Sequence, residues 1–127
     1  MKLLLDTHVF LWFFETSGKL SPPARQALTS SENECYLSIV SVWEMQIKIG
    51  LGKLSCRRPL QEAAELATDD GLRILPVNQQ HIYRLASLAD YHHDPFDRLI
   101  IAQAMCEDLT IVTRDKSFPH YGVPLLW

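Results

Sequence analysis

Short apolar runs alternate along the chain with longer stretches whose apolar residues recur at helical spacing. Residues 2–5 are apolar after Lys2 and stop at Asp6, which reads as a strand buried on both faces. Residues 35–38, 72–77 and 110–113 repeat the pattern, and residues 123–127 add a short last strand. A short helix is expected at 7–14. Ser21 before Pro22 and Pro23 marks a second helix start, a capping hydroxyl followed by prolines whose missing N–H is no loss in a first turn. Ala24, Ala27 and Leu28 form its inward side. Ser41 and Glu44 have the spacing of a capping box. Val40, Trp43, Ile47 and Leu51 follow as an inward stripe, and Gly50 and Gly52 end the helix. Residues 59–68 place Leu60, Ala63, Ala64 and Ala67 on one side, and residues 79–89 place Ile82, Leu85, Ala86 and Ala89 inward. Asp94-Pro95 opens a last helix that runs to about residue 107.

Strands separated by helices of this length imply βαβ units, hence an α/β protein with a mostly parallel central sheet. The right-handed crossover rule puts helices on both faces. Strand order does not follow from the pattern. A chain of 127 residues suits one domain, spanning 1–127. Its 47% hydrophobic and 21% charged residues are those of an ordinary globular protein. Cys35, Cys56 and Cys106 lack the number and pairing of a disulfide framework or a zinc site, and read as buried, reduced thiols. The first residues lack the long apolar region of a secretory signal. The apolar run at 9–14 is far short of the about 20 residues that span a membrane. A cytoplasmic location, away from membranes, is the expectation.

A net charge of −3 does not advertise a polyanion binder. The basic residues Lys48, Lys53, Arg57 and Arg58 read equally as a solvated helix end. The acids are more informative. Asp6 ends the first strand and Asp115 follows the fourth. Glu44 lies in the first turn after the second strand. All three belong to the carboxyl edge of the sheet, where α/β proteins place their sites. Asp97 opens the helix before the fourth strand, and reaches that edge only if the loop at 91–95 curls back. Ile100, Ile101, Ala104 and Met105 share its helix face, so its charge points along an apolar side where a lone carboxylate is costly. Converging carboxylates repel unless a cation joins them. Mg²⁺ or Mn²⁺, hard ions that favour oxygen, suit such a set and the hydrolysis of phosphodiesters.

Four segments carry a resemblance: LLLDTHVFLW, SVWEMQIKIGLGKL, DPFDRLIIAQA and IVTRD, in order and across nearly the whole chain. They resemble PIN domains of the VapC type, the toxins of bacterial toxin–antitoxin pairs. The resemblance implies a three-layer α/β/α fold and a Mg²⁺- or Mn²⁺-dependent endoribonuclease acting on RNA. It also implies a cognate antitoxin partner and a homodimer. Carried over by position, it makes Asp6, Glu44, Asp97 and Asp115 the catalytic and metal-binding acids, with Asp6 and Asp97 the most direct ligands. Thr7 and Thr113 would bond to that shell, and Asp94 would cap the helix or join the shell. Arg98, Arg114 and Lys48 are candidate contacts to RNA phosphate, or ion-pair partners of the acids.

Each acid also has a structural explanation: Asp6 a turn, Glu44 a cap or a pair with Lys48, Asp94 and Asp97 capping, Asp115 a loop pair with Arg114 or Lys116. His92 and His93 are adjacent, share no face, and are expected on the loop surface, in reach of RNA at most. Trp12, Phe13, Phe14 and Trp43 are expected in the core or at a dimer contact. The alternatives to a nuclease are a non-cleaving PIN-like module that binds RNA or protein, and a receiver-like or phosphatase domain. The latter wants paired acids at the first strand, where Thr7 and His8 stand instead.

Overall fold

Three consecutive leucines build the centre of the molecule. In the computed structural model, which describes residues 1–15 and 17–127, Leu3, Leu4 and Leu5 of strand β1 (Lys2–Leu5) are at most 1% exposed. Their side chains alternate, as a strand requires. Leu3 and Leu5 pack with Val9, Phe10, Ala24, Leu37, Met45 and Val112 on one face. Leu4 packs with Val40, Ile100, Ile101, Ala104 and Ile111 on the other. Two cores on one sheet make the three-layer α/β/α architecture expected.

The elements follow as α1 (Thr7–Phe14), α2 (Pro22–Thr29), β2 (Glu34–Ser38), α3 (Ile39–Gly50), α4 (Leu60–Asp69), β3 (Arg73–Leu75), α5 (Gln79–Arg84), α6 (Pro95–Glu107), β4 (Thr110–Val112) and β5 (Leu125–Leu126). The strands form one parallel sheet in the order β3-β2-β1-β4-β5. Leu5 sits between Leu37 and Val112 in register. The order runs outward in one direction through β2 and β3 and in the other through β4 and β5. The strand order therefore reverses between β1 and β4, where the two outgoing connections part and leave a crevice at the carboxyl ends of the strands.

Ser21 caps α2 as expected, its Oγ accepting from the Ala24 N–H at 3.1 Å. Asp94 caps α6, one oxygen accepting from the N–H groups of Phe96 and Asp97 at 2.8 and 3.2 Å. The start of α3 differs from expectation. Ser38, not Ser41, is the cap, accepting from the Val40 N–H at 3.0 Å. The inward face is then Val40, Ser41, Glu44 and Met45, while Trp43 and Leu51 are 59% and 63% exposed. Trp43 lies edge-on to Phe96 at the surface instead of in the core. The strand at β3 is shorter than expected because Pro76 brings no N–H to the ladder, and its carbonyl accepts from Gln103 Nε2.

The helix expected over 79–89 stops early, giving way to a tighter turn at Leu85–Ser87. Its inward residue is His81, wholly buried, while Ile82, Ala86 and Ala89 are exposed. A polar group holds that place because both ring nitrogens are bonded: Nδ1 accepts from the Asn78 N–H, and Nε2 lies 2.8 Å from a Glu107 oxygen. The cysteines are free, but Cys35 and Cys56 are only half-buried and Cys106 is exposed. Among the described residues no helix is long and apolar enough to cross a membrane.

Candidate metal centre

Asp6 follows β1 directly, and its N–H donates to the Val112 carbonyl of β4 at 3.0 Å, fixing it at the crevice. Its side chain accepts from Thr113 Oγ1 at 2.9 Å, and Thr113 stands just past β4. The same hydroxyl accepts from the Asp115 N–H at 3.0 Å, so one threonine joins two acids. On the other side of β1, Thr7 Oγ1 is 2.8 Å from both Ser41 Oγ and Glu44 Oε1. A hydroxyl has one proton. Donation to the Glu44 carboxylate and acceptance from Ser41 satisfies all three buried groups. Ser41 thus serves the site, not the helix start. Thr7 is thus bonded to Glu44, and Thr113 to Asp6 and Asp115.

Asp97 reaches the same edge because the loop before α6 does curl back. Arg98 Nη1 holds it there, donating to the carbonyls of Ala89 and His92 at 3.0 and 3.2 Å. The Tyr121 hydroxyl accepts from the His92 N–H at 2.7 Å. This staple places the His92 ring between two acids. Nε2 lies 3.0 Å from Asp97 Oδ2 and 3.3 Å from Asp115 Oδ2. His92 is therefore not the surface residue expected; His93, with a side chain 82% exposed, is. Adjacency excluded both from one face, but it did not exclude one of them from the site. The signal that could have found His92 is its place two residues before the cap of the helix that carries Asp97.

The His92 ring has a defined orientation. Nδ1 accepts from the Asp94 N–H at 3.2 Å, which assigns the ring proton to Nε2. His92 is then a hydrogen-bond donor to Asp97 and Asp115. Metal-ligating histidines are arranged the other way, with the second nitrogen donating. Asp94, by the same contacts, is a cap and an anchor for His92.

Electrostatics show the cost of the arrangement. Burial, then the charges of Asp6, Asp94, Glu44 and Asp115, push the Asp97 carboxyl up to about 8. Burial also raises Asp6, against the Thr113 hydrogen bond. Asp115 is partly desolvated too, but donors from Ser117 and His92 outweigh this and hold it below the usual range. Lys48 is raised, chiefly by its hydrogen bond to Glu44 at 2.6 Å. A set of oxygen donors that burial and mutual repulsion keep from ionising fully is one that a hard divalent cation fits. Nε2 of His92 and one oxygen each of Asp97 and Asp115 lie within 4.8 Å of one another.

The three candidate phosphate contacts divide. Lys48 is the ion-pair partner of Glu44. Arg98 is spent on the loop. Arg114 is exposed and lies over the Trp12 ring, 4.5 Å from its centroid. Of the other basic residues, Arg57 pairs with Glu15 and Arg58 with Glu62. Trp12, Phe13 and Phe14 pack partly buried against the core.

No curated protein sequence matches the chain significantly. Solved structures do match. VapBC2 from Rickettsia felis, bound to a DNA fragment from their promoter, is similar at a TM-score of 0.75 and 18% identity, over 99% of this chain and 98% of that one. DNA-bound VapBC from Salmonella typhimurium is similar at a TM-score of 0.68 and 19% identity, over 99% and 97%. FitAcB from Neisseria gonorrhoeae is similar at 0.66 and 24%, over 98% and 96%. These likenesses concern the fold. The sequence itself matches the PIN domain model over residues 3–124, which spans every acid described above, and the chain belongs to the PIN-domain family.

Proposed function

We propose that this protein is a Mg²⁺- or Mn²⁺-dependent endoribonuclease, the toxin of a toxin–antitoxin pair. The observation that carries the reading is the convergence of Asp6, Glu44, Asp97 and Asp115 at the crevice between β1 and β4, with Asp97 pushed to about 8 by burial and by the neighbouring acids. Asp6 and Asp97 would hold the ion. Glu44 and Asp115 would complete the charge around it, held by Thr7, Lys48, His92 and Ser117. A divalent cation bound there supplies a Lewis acid to the scissile phosphate and lowers the pKa of water to near neutral. The chain's own part is to fix the carboxylates before substrate arrives.

Two further features of the reading are protein partners. VapBC complexes among the similar structures support a cognate antitoxin. Exposed apolar side chains on α3, Ile39 at 42% and Trp43 at 59%, support a protein-covered face, for the antitoxin or for a second copy in a homodimer.

The test is incubation of total RNA with the purified chain and Mn²⁺, beside EDTA and an Asp97→Asn variant. Discrete fragments lost in both controls are the expected result. Absence of cleavage by protein that is folded and binds Mn²⁺ would sink the nuclease reading.

A further inference from the structure

A small cavity of about 240 Å³ opens beside the acids, lined by Asp6, His8, Trp12, Arg114 and Asp115. Its cation is placed unusually. Two carboxylates line the same cavity, yet among the described residues none is within ion-pair distance of Arg114. Its partner is the face of Trp12. Trp12 is in turn set by the edge of Trp127 at 5.8 Å and by His8 at 5.8 Å, and Lys19 Nζ lies 5.9 Å from its centroid. A guanidinium held over an indole by cation–π attraction does not use up its N–H donors, because that contact is with the ring's face.

We infer that Arg114, laid on Trp12, forms a phosphate subsite for the nucleotide next to the scissile bond. The inference rests on the nuclease reading and adds to it where the strand lies. An anion drawn to this cavity must tolerate Asp6 and Asp115. Phosphate bridging toward a cation among those acids does so, and the planar fork of Arg114 matches two of its oxygens. Trp12 is a positioning residue that acts through Arg114. His8 borders the same cavity and is exposed.

The test is equilibrium binding of a fluorescein-labelled, mixed-sequence single-stranded RNA to the wild-type protein with Ca²⁺, another hard oxygen-seeking cation, in place of Mn²⁺, the RNA being checked for cleavage after each titration. The Arg114→Gln change should weaken binding about tenfold, equally for oligo(A) and oligo(U), because a phosphate contact carries no sequence information. The slope of log K against log salt should fall by about 0.7, the value for one phosphate contact on a single strand. Arg114→Lys should restore the slope but not the full affinity, having the charge without the fork. Trp12→Phe should bind nearly as the wild type, and Trp12→Leu more weakly with the slope kept. Tyr83→Ala, an exposed residue of α5 that does not line the cavity, is the control. An unchanged affinity and slope in Arg114→Gln overturns the inference. So does a loss confined to one base, or no binding by the wild type in Ca²⁺. The nuclease reading is judged separately, by Mn²⁺-dependent cleavage in the wild type.

Discussion

Asp6, Glu44, Asp97 and Asp115 differ in how their oxygens are already held. Glu44 has one on Thr7 and one on Lys48. Asp115 has one on Ser117 and one toward His92. Among the described residues Asp6 and Asp97 pair with no lysine or arginine: Asp6 is held by the Thr113 hydroxyl and the Thr7 N–H, and Asp97 by His92. This asymmetry yields an order of effects. Asp6→Asn and Asp97→Asn are expected to abolish Mn²⁺ binding in isothermal titration, while Glu44→Gln weakens it. A Glu44→Gln loss as complete as that of Asp97→Asn would contradict the order. His92 acts through the carboxylates it orients. His92→Ala is therefore expected to reduce Mn²⁺ affinity by about tenfold, as loss of an outer-shell partner typically does. His92→Asn, which keeps a donor, should recover part of it. An affinity unchanged in His92→Ala would show that the acids hold their places unaided.

Two helices carry most of what the site needs at the element scale, and they differ in legibility. The helix α6 could be read from the sequence because Asp94, Pro95 and the run of apolar residues after Asp97 agree with one another. Helix α3 could not, because its inward stripe is interrupted by Ser41 and Glu44, which a periodicity reading assigns to the outside. Tertiary demand overrode the pattern, and the stripe shifted by one residue, leaving Trp43 in solvent. The same reasoning missed His81 and His92: a histidine with both ring nitrogens bonded is a buried group, but only the fold supplies its partners. By contrast, the strands and the four acids were legible, because strands this apolar are buried on both faces and their ends are where acids gather. Two predictions belong here. Thr7→Val removes the donor that ties α1 to Glu44 of α3, and should lower stability by about 1–3 kcal/mol in denaturant melts of metal-free protein. Asp94→Ala should cost about 1 kcal/mol through the lost cap. It should also loosen His92, visible as a larger drop in Mn²⁺ affinity than a cap alone explains.

For the whole molecule, the strand order is what the sequence withheld, and it decides the site. Placing β4 beside β1 brings together residues 107 positions apart, Thr113 and Asp6. The acids gathered there couple charge to folding. Asp97 titrates near 3.8 in an unfolded chain and near 8 in the folded one. Between these values the folded state binds more protons, so stability falls as pH rises through the window and levels off above it. Asp6, also raised, adds in the same direction. In EDTA the melting temperature should be lower at about pH 8.5 than at about pH 5, and Asp97→Asn should flatten this slope and be the more stable protein at the higher pH. Saturating Mn²⁺ should reverse the loss in the wild type and not in the variant; a wild type insensitive to both would refute the coupling. The two halves of the centre also hang from very different parts of the fold. Asp6 extends from β1, whose leucines are sealed on both faces, while His92 depends on a loop fastened by the side chain of Arg98. Deuterium should accordingly enter the amides of β1 only through global unfolding, and those of the loop before α6 through local opening. The protein can thus release one side of its acid cluster without disturbing the other, and Arg98→Met should hasten exchange at the loop alone.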